Sequence, residues 1–267
     1  MKRITILVAL VFWAGIALAQ TAGPKRPSTP AEQSAVIEKV RDQALSYTRQ
    51  LPNYICTQRT RQMIQRQSLG QLRWGLDLIE EQISFVDNRE TRRVLSLNGR
   101  PVAADSPDQQ RGTPSRGEFG NLLEVIFDPQ VSADLRWDRA MMLDHRPVYV
   151  LDYRVPRSRG YTLTEVKRTI QVPYNGLVYA DPETFAVVRI EMKVSPNDIP
   201  KGSEYVNAVL TLDYKPAQVA GNEFVLPAHF SLHYQMIRGM AWYEAEYTGY
   251  RKFSADTSIK FEGDKNQ

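Results

Sequence analysis

The chain has 267 residues, a formal net charge of +4 and one cysteine, Cys56, whose apolar, strand-like context is typical of a buried structural thiol. Residues 20–116 carry 15 basic and 10 acidic side chains and residues 117–267 carry 17 and 20, so neither part concentrates the positive charge that nucleic-acid binding requires. The composition excludes an internal disulfide, predicts no nucleic-acid partner, and leaves a chain long enough to bury a proper core.

The first nineteen residues predict export. Lys2 and Arg3 precede an apolar run that ends in Ala17-Leu18-Ala19, the small-x-small form that signal peptidase cleaves. The run is too short for a convincing membrane span, and no later run approaches the ~18 apolar residues that a span needs. The residue after the cut is Gln20 rather than a cysteine that would carry a lipid. We therefore expect a periplasmic or secreted product that is not a lipoprotein and has at most peripheral membrane contact.

The sequence after this segment predicts a leader, a folded region and a tail. Residues 20–30 contain three prolines and no hydrophobic pattern, so we expect a flexible leader. Residues 31–253 are expected to form a single antiparallel β-rich domain, and residues 254–267 a polar tail. A first helix is predicted near 31–51, because Thr29-Pro30-Ala31-Glu32 has the form of a capping box with proline at the first helical position.

A second helix is predicted near 116–128. Phe119, Leu122, Leu123, Ile126 and Phe127 follow helical spacing, and Ser115 and Glu118 have capping-box spacing before them. The preceding segment, 101–114, is rich in Ala, Asp, Gln, Pro and Ser without periodicity, and we expect an exposed, mobile loop.

Most of the remaining chain alternates apolar and polar residues, which indicates about ten strands. Asn98-Gly99, Asn175-Gly176 and Asp181-Pro182-Glu183-Thr184 are typical of the turns between them, and residues 166–172 are predicted as one of the strands. The predicted fold class is mainly β with two helices (α+β), with a large curved antiparallel sheet and the helices on its concave side. Because two helices are too few to cover so large a sheet, we expect a half-open apolar hollow.

No motif of a known catalytic centre occurs, so we predict a non-enzymatic protein with no catalytic residue, cofactor or metal site. His229 and His233 lie four residues apart in a strand pattern, which places their rings too far apart for one ion. Glu244 and Glu246, next to Trp242, form a carboxylate pair that would suit glycan chemistry. The alternation of a solvated strand face explains these two acids more simply.

The stretch Gly176-Leu177-Val178-Tyr179-Ala180-Asp181-Pro182-Glu183-Thr184, followed by Val188-Arg189-Ile190, resembles a segment of the LolA-like superfamily. There, a strand of the form x-aromatic-x-Asp-Pro-x-Thr turns into a second strand that carries an arginine. The superfamily includes periplasmic lipoprotein carriers and lipid-sensing regulators. The resemblance implies an unclosed β-barrel whose hollow is covered by helices and takes up acyl chains. Leu51 to Cys56 also resemble the Leu-Pro-Asn-Tyr-x-Cys start of a family of secreted bacterial proteins.

The leading hypothesis is an exported binding protein that holds a lipid or other amphipathic ligand against the concave sheet, with the second helix closing or gating the hollow. One alternative is an envelope interaction or sensor domain with a filled interior, whose partner is another envelope protein. The second alternative is a glycan-acting envelope hydrolase. The candidate ligand-lining residues are apolar residues of the second helix and of the inward strand faces: Phe119, Leu122, Leu123, Ile126, Phe127, Val188, Ile190, Met192, Leu210, Leu212, Phe230, Leu232, Tyr243 and Tyr247.

Overall fold

The computed structural model describes residues 26–68, 71–87, 89–112, 121–131 and 133–253. The described residues contain two α-helices, α1 (Pro30–Gln50) and α2 (Asn121–Phe127). The strands are β1 (Tyr54–Ser68), β2 (Gln71–Val86), β3 (Arg89–Leu97), β4 (Arg100–Pro101), β5 (Asp134–Leu143), β6 (Arg146–Val155), β7 (Tyr161–Thr164), β8 (Thr169–Val172), β9 (Tyr174–Ala180), β10 (Val187–Val194), β11 (Tyr205–Val219), β12 (Asn222–Met236) and β13 (Gly239–Lys252).

Eleven of these strands form one antiparallel sheet in the order β4-β3-β2-β1-β13-β12-β11-β10-β9-β6-β5. β4 and β5 are its two edges, so the sheet is not closed. The prediction of a mainly β fold with a large open antiparallel sheet and two helices is confirmed. Alternate residues of the long strands, such as Leu210 and Leu212 of β11, join the buried core on the face that the helices cover, which we call the concave face. The opposite face is called the outer face.

α1 begins at the capping box that the sequence around Thr29 predicts. The Thr29 side chain accepts a hydrogen bond from the backbone of Glu32, and the Glu32 carboxylate accepts one from the Thr29 backbone, which completes the capping box. One stripe of the helix, including Val36, Val40 and Ala44, is buried against the concave face. None of the helices in the described part of the chain has the length and apolar character needed to cross a bilayer.

Residues 166–172 were predicted to form a strand of the main sheet, but residues 161–172 lie outside it. They fold into a separate two-stranded sheet, β7–β8, that packs on the concave face. Leu163 and Val172 are buried in the core there, and the Tyr161 hydroxyl lies 2.5 Å from that of Tyr234 on β12. Val166 lies in the connection between β7 and β8 and is fully exposed, because only one side of so short a hairpin contacts the sheet.

Asn175-Gly176 is not a turn, although the dipeptide is typical of one. Both residues lie inside β9, paired with β6 and β10. A Cβ atom at Gly176 would lie 1.8 Å from the Glu191 carbonyl oxygen and 2.9 Å from the Tyr153 hydroxyl. Glycine is required here by the close approach of neighbouring groups rather than by a reversal of the chain.

The segment predicted as an exposed, mobile loop, 101–114, is held against the sheet over the part that the structure describes. Pro107–Arg111 form a 3₁₀ turn. The Gln109 amide oxygen accepts from the Val94 backbone nitrogen, and its amide nitrogen donates to the carbonyls of Val94 and Ala103, each within 3.0 Å. One side chain thereby takes the position of a strand partner along β3, which composition alone does not reveal. The second helix is described from Asn121 to Phe127, and residues 113–120, which include its predicted start, lie outside the described residues.

The predicted hollow is largely filled. The two helices and the β7–β8 hairpin cover the concave face, and the inward residues of β10, β11 and β12 are buried by protein side chains. The sequence predicted that too little structure covers the concave face. It missed the hairpin because residues 166–172 were counted as a strand of the main sheet. Among the described residues, a cleft remains open at one end of α1.

Candidate functional site

The cleft has a volume of about 260 Å³. It lies between the C-terminal half of α1, Leu123 of α2, the turn between β9 and β10, and the adjoining ends of β11 and β12. Its apolar wall is formed by Ala44, Tyr47, Leu51, Leu123, Ala186, Val187, Tyr214, Phe224 and Val225, and its polar groups by Gln43, Gln50, Thr184 and Glu223. Small-molecule sites span ~300–1,000 Å³ and combine apolar walls with few polar groups, so this cleft has the same character and a volume just below that range.

Tyr47 gives the cleft an unusual polar feature. Its ring packs edge-on against Tyr214, with the centroids 6.2 Å apart, but its hydroxyl is buried and has no hydrogen-bond partner within the described part of the chain. Burial raises the pKa of this hydroxyl far above its ordinary value, so the group stays neutral. A buried hydroxyl without a partner costs about 1–3 kcal/mol, which a ligand with a hydrogen-bonding group would recover.

The segment that resembles the LolA-like superfamily forms one wall of the cleft. Asp181 Oδ1 accepts from the backbone nitrogens of Glu183 and Thr184 at 2.9 and 2.8 Å, which fixes the turn. Phe185 takes a left-handed backbone conformation with φ 58°. The centroid of its ring lies 4.9 Å from Lys39 Nζ of α1. The turn is therefore attached to the helix that forms the opposite wall.

The structure brings most candidate lining residues together but encloses them. Leu123, Ile126, Phe127, Ile190, Met192, Leu210, Leu212, Phe230, Leu232, Tyr243 and Tyr247 join one buried core, and Leu122 packs against it half-buried. Of the described candidates only Leu123 lines the cleft, and Phe119 lies outside the described residues. The other cleft residues were missed because several, such as Gln43 and Glu223, are polar residues at element ends.

Val188 was predicted to lie on the concave face, but it lies on the outer face. It packs with Val148, Val150 and Tyr179 in a cluster separate from the main core. The register between β9 and β10 shifts between Val187 and Arg189, so Val187 takes the inward position that the alternation predicted for its neighbour.

The outer face carries the two histidines of the predicted strand. His229 Nε2 lies 3.0 Å from one oxygen of Glu244, and His233 Nε2 lies 3.1 Å from the other. His233 Nε2 is also 3.2 Å from Ser231 Oγ. Since one nitrogen contacts both the hydroxyl and the carboxylate, the three groups do not form a relay of the serine–histidine–acid type, which uses both ring nitrogens. Within the described ranges, no group of three or more His, Cys, Asp and Glu side chains has the geometry to hold a metal ion.

A polar cluster on the concave face of β1 and β3 is a second feature that sequence reasoning missed. Gln58 and Thr60 are buried, and the amide nitrogen of Gln58 donates to Thr60 Oγ1 at 3.0 Å. Arg92 donates to the Gln58 amide oxygen at 3.0 Å and to Glu90 at 2.7 Å. The alternation of β1 could have predicted this cluster, because Gln58 and Thr60 continue the inward-facing positions of Tyr54 and Cys56. These paired groups anchor β3 to β1 without opening a cavity.

No family model and no curated protein matches the chain. Among solved structures, a LolA superfamily protein from Nitrosomonas europaea is 12% identical, with coverage of 83% of this chain and 94% of that one and a TM-score of 0.39. An outer membrane lipoprotein-sorting protein domain from Vibrio parahaemolyticus is 12% identical, with coverage of 82% and 92% and a TM-score of 0.45. A DUF1329 family protein from Desulfovibrio piger is 10% identical, with coverage of 85% and 97% and a TM-score of 0.36.

These solved structures include proteins that are named for the superfamily that residues 176–190 resemble in sequence. At these identities and TM-scores, the similarity carries nothing about what this chain binds.

Proposed function

We propose that this protein is an exported, non-enzymatic binding protein that holds the apolar part of an amphipathic small molecule in the cleft between α1, α2 and the β9–β10 turn. The observation that carries the proposal is a mainly apolar cleft of about 260 Å³ that is lined in part by Tyr47, whose buried hydroxyl has no hydrogen-bond partner among the described residues. An apolar chain fills the cleft, and one polar group of the ligand contacts Tyr47.

The polar groups of the cleft define the other end of the ligand. Gln43, Gln50, Thr184 and Glu223 offer hydrogen bonds and one negative charge. A neutral or cationic head group therefore fits better than an anionic one. The volume accommodates one acyl or alkyl chain rather than a complete lipid with several chains.

Native mass spectrometry and lipid extraction of the protein purified after export test this proposal. We expect a co-purified amphipathic molecule, and saturable binding of an environment-sensitive apolar dye that competes with it. Val225→Trp, which fills the cleft from β12, is expected to abolish both. Val209→Trp places the same residue on the outer face of β11 and is expected to leave both intact. Absence of a ligand together with equal dye binding by the two variants would refute the proposal.

The two alternatives remain predictions with their own tests. An envelope interaction domain predicts a stable crosslinked partner from envelope fractions. A glycan hydrolase acting through Glu244 and Glu246 predicts glycan turnover that is lost when both are changed to Gln.

A further inference from the structure

Exposed apolar side chains are concentrated at the end of the sheet opposite the cleft. Four residues at alternate positions of β2 share the outer face and are between 48 and 63% exposed: Leu72, Trp74, Leu76 and Leu78. Met63 of β1 lies directly opposite Leu76 and extends this row. β3 pairs only with Ile79–Val86, so the part of β2 that carries the row projects beyond its neighbour.

A turn with an exposed apolar residue lies beside this projecting hairpin. β1 and β13 pair as far as Arg66 and Gly239, which places the β12–β13 turn next to the hairpin end. Ile237 in that turn is 66% exposed, and its backbone nitrogen donates to the Glu204 carbonyl at 2.9 Å.

The β7–β8 turn joins the same end through residues 201–204. Ser203 Oγ donates to Glu165 Oε1 at 2.6 Å, and Arg168 donates to the Gly202 carbonyl at 3.2 Å. Val166, between these two contacts, is 89% exposed. The hairpin end and these three turns lie at the same end of the sheet, and we call them together the basic end.

Positive charge accompanies the apolar groups of the basic end. Its exposed cationic residues are Arg73, Lys167, Arg168, Lys201 and Arg238. Among the acidic residues of the three turns, Glu204 is exposed, whereas Glu165 is covered by Arg168 at 2.7 Å. From residue 57 to residue 76 the sequence contains four arginines, at 59, 61, 66 and 73, and no acidic residue.

We propose that the basic end docks on an anionic lipid bilayer. The β2 row from Leu72 to Leu76, which includes Trp74, and Ile237 enter the boundary between head groups and acyl chains. The surrounding lysines and arginines contact lipid phosphates. Projecting tips that combine tryptophan, leucine and basic residues are the chemistry that recognises a membrane interface. The apolar groups lie on several separate tips rather than in one groove, and a deformable bilayer accommodates all of them at once.

Vesicle sedimentation tests this proposal. The full chain is mixed with vesicles of phosphatidylcholine alone or of phosphatidylcholine with phosphatidylglycerol. We expect pelleting only with the anionic vesicles, release by salt because surface charge is screened, and a blue shift of tryptophan emission. The double variant W74S/L76S is expected to bind at least about tenfold more weakly, since two apolar side chains no longer enter the lipid. R73Q/R238Q, which keeps the apolar row, is expected to show a smaller loss that disappears at high salt.

Met142→Ser provides the matched control. Met142 is 46% exposed on β5, near the other end of the sheet, and its replacement is expected to leave pelleting unchanged. Val225→Trp in the cleft also leaves pelleting unchanged, so this proposal and the ligand proposal fail independently. No pelleting of the wild type, or equal pelleting by W74S/L76S and M142S, would overturn the membrane assignment. A dimer or a crosslinked protein partner that W74S/L76S abolishes, without vesicle binding, would assign the basic end to a protein and would overturn it equally. If W74S/L76S does not fold, R73Q/R238Q decides, and pelleting equal to wild type at low salt overturns the proposal.

Discussion

Tyr47 is half-buried with a buried hydroxyl and Tyr153 is fully buried, but the two hydroxyls differ in their hydrogen bonding. That of Tyr47 has no partner, whereas that of Tyr153 donates to the Glu191 carbonyl at 3.0 Å. We expect Tyr47→Phe to raise the free energy of unfolding of the ligand-free protein by about 1 kcal/mol and Tyr153→Phe to lower it by a similar amount. Urea unfolding followed by fluorescence measures both. If Tyr47→Phe is as destabilising as Tyr153→Phe, the Tyr47 hydroxyl has a partner in solution.

His229 makes the stability of the outer face depend on pH. Asp213, 3.6 Å from Nδ1, and then Glu244 raise the pKa of the imidazole above its ordinary value, although partial burial opposes them. Because the folded-state pKa lies above the unfolded one, the stabilisation is fully present below about pH 6.5 and is lost as the pH rises through the folded-state pKa.

We therefore expect the urea midpoint of the wild type to fall with rising pH across this window and that of His229→Gln to fall less. Asp213→Asn removes the first cause of the shift and should reduce the same slope. Equal slopes for the wild type and both variants would contradict this role of the contact.

At the scale of elements, Gln109 fastens the 101–112 segment to the exposed side of β3. Gln109→Ala removes all three of its hydrogen bonds to Val94 and Ala103. We expect faster amide exchange at Val94 and earlier proteolysis within 102–112, together with a loss of about 1–2 kcal/mol in the free energy of unfolding. Gln130→Ala, in an exposed turn after α2, serves as the control. Unchanged exchange at Val94 would mean that the backbone alone holds the segment.

Short sequence motifs predicted those features that depend only on neighbouring residues. The Thr29 capping box, the Asn98-Gly99 hairpin with both residues at positive φ and the Asp181 turn need only their own neighbours to form. The interior position of Gly176, the separate β7–β8 hairpin and the inward place of Val187 depend on what lies across the sheet. Single-sequence alternation does not contain that information.

The predicted lining residues and the cleft lie in different parts of the fold. The sequence indicated an apolar concave face with incomplete cover, and among the described residues a cleft is left open beside the filled core. Its walls come from helix and strand ends that carry mixed polarity, such as Gln43 and Thr184, so no hydrophobic stripe marked them. The stripes marked the filled core instead.

At the scale of the whole molecule, β1 and β13, the first and last strands along the described chain, are neighbours in the sheet. The residues of β1 that pair with β13 are separated from their partners by most of the described sequence. The Phe253 backbone nitrogen also donates to the Asn53 carbonyl at 3.0 Å. Such distant pairing makes folding slow, because long loops close before these contacts form. It also makes β1 accessible only when the sheet separates.

Cys56 on β1 reports that separation. Its thiol is buried, as the sequence predicted, and burial raises its pKa to about 12. We expect no labelling of the native protein by a thiol reagent at mildly alkaline pH. In urea, the labelling rate should rise with the slope of global unfolding. Rapid labelling without denaturant would show that β1 opens locally.

β11 and β12 run the length of the molecule, from the tips proposed to touch lipid to the mouth of the cleft. Tyr205 and Tyr214 mark these two regions on β11, and nine strand residues separate them by ~30 Å. That span equals the thickness of the hydrocarbon interior of a bilayer. A molecule anchored by its tips therefore keeps its opening in water, out of reach of the leaflet beneath it. Under the two proposals, a ligand would enter and leave the cleft from the aqueous side, so membrane attachment and ligand exchange would be separate events.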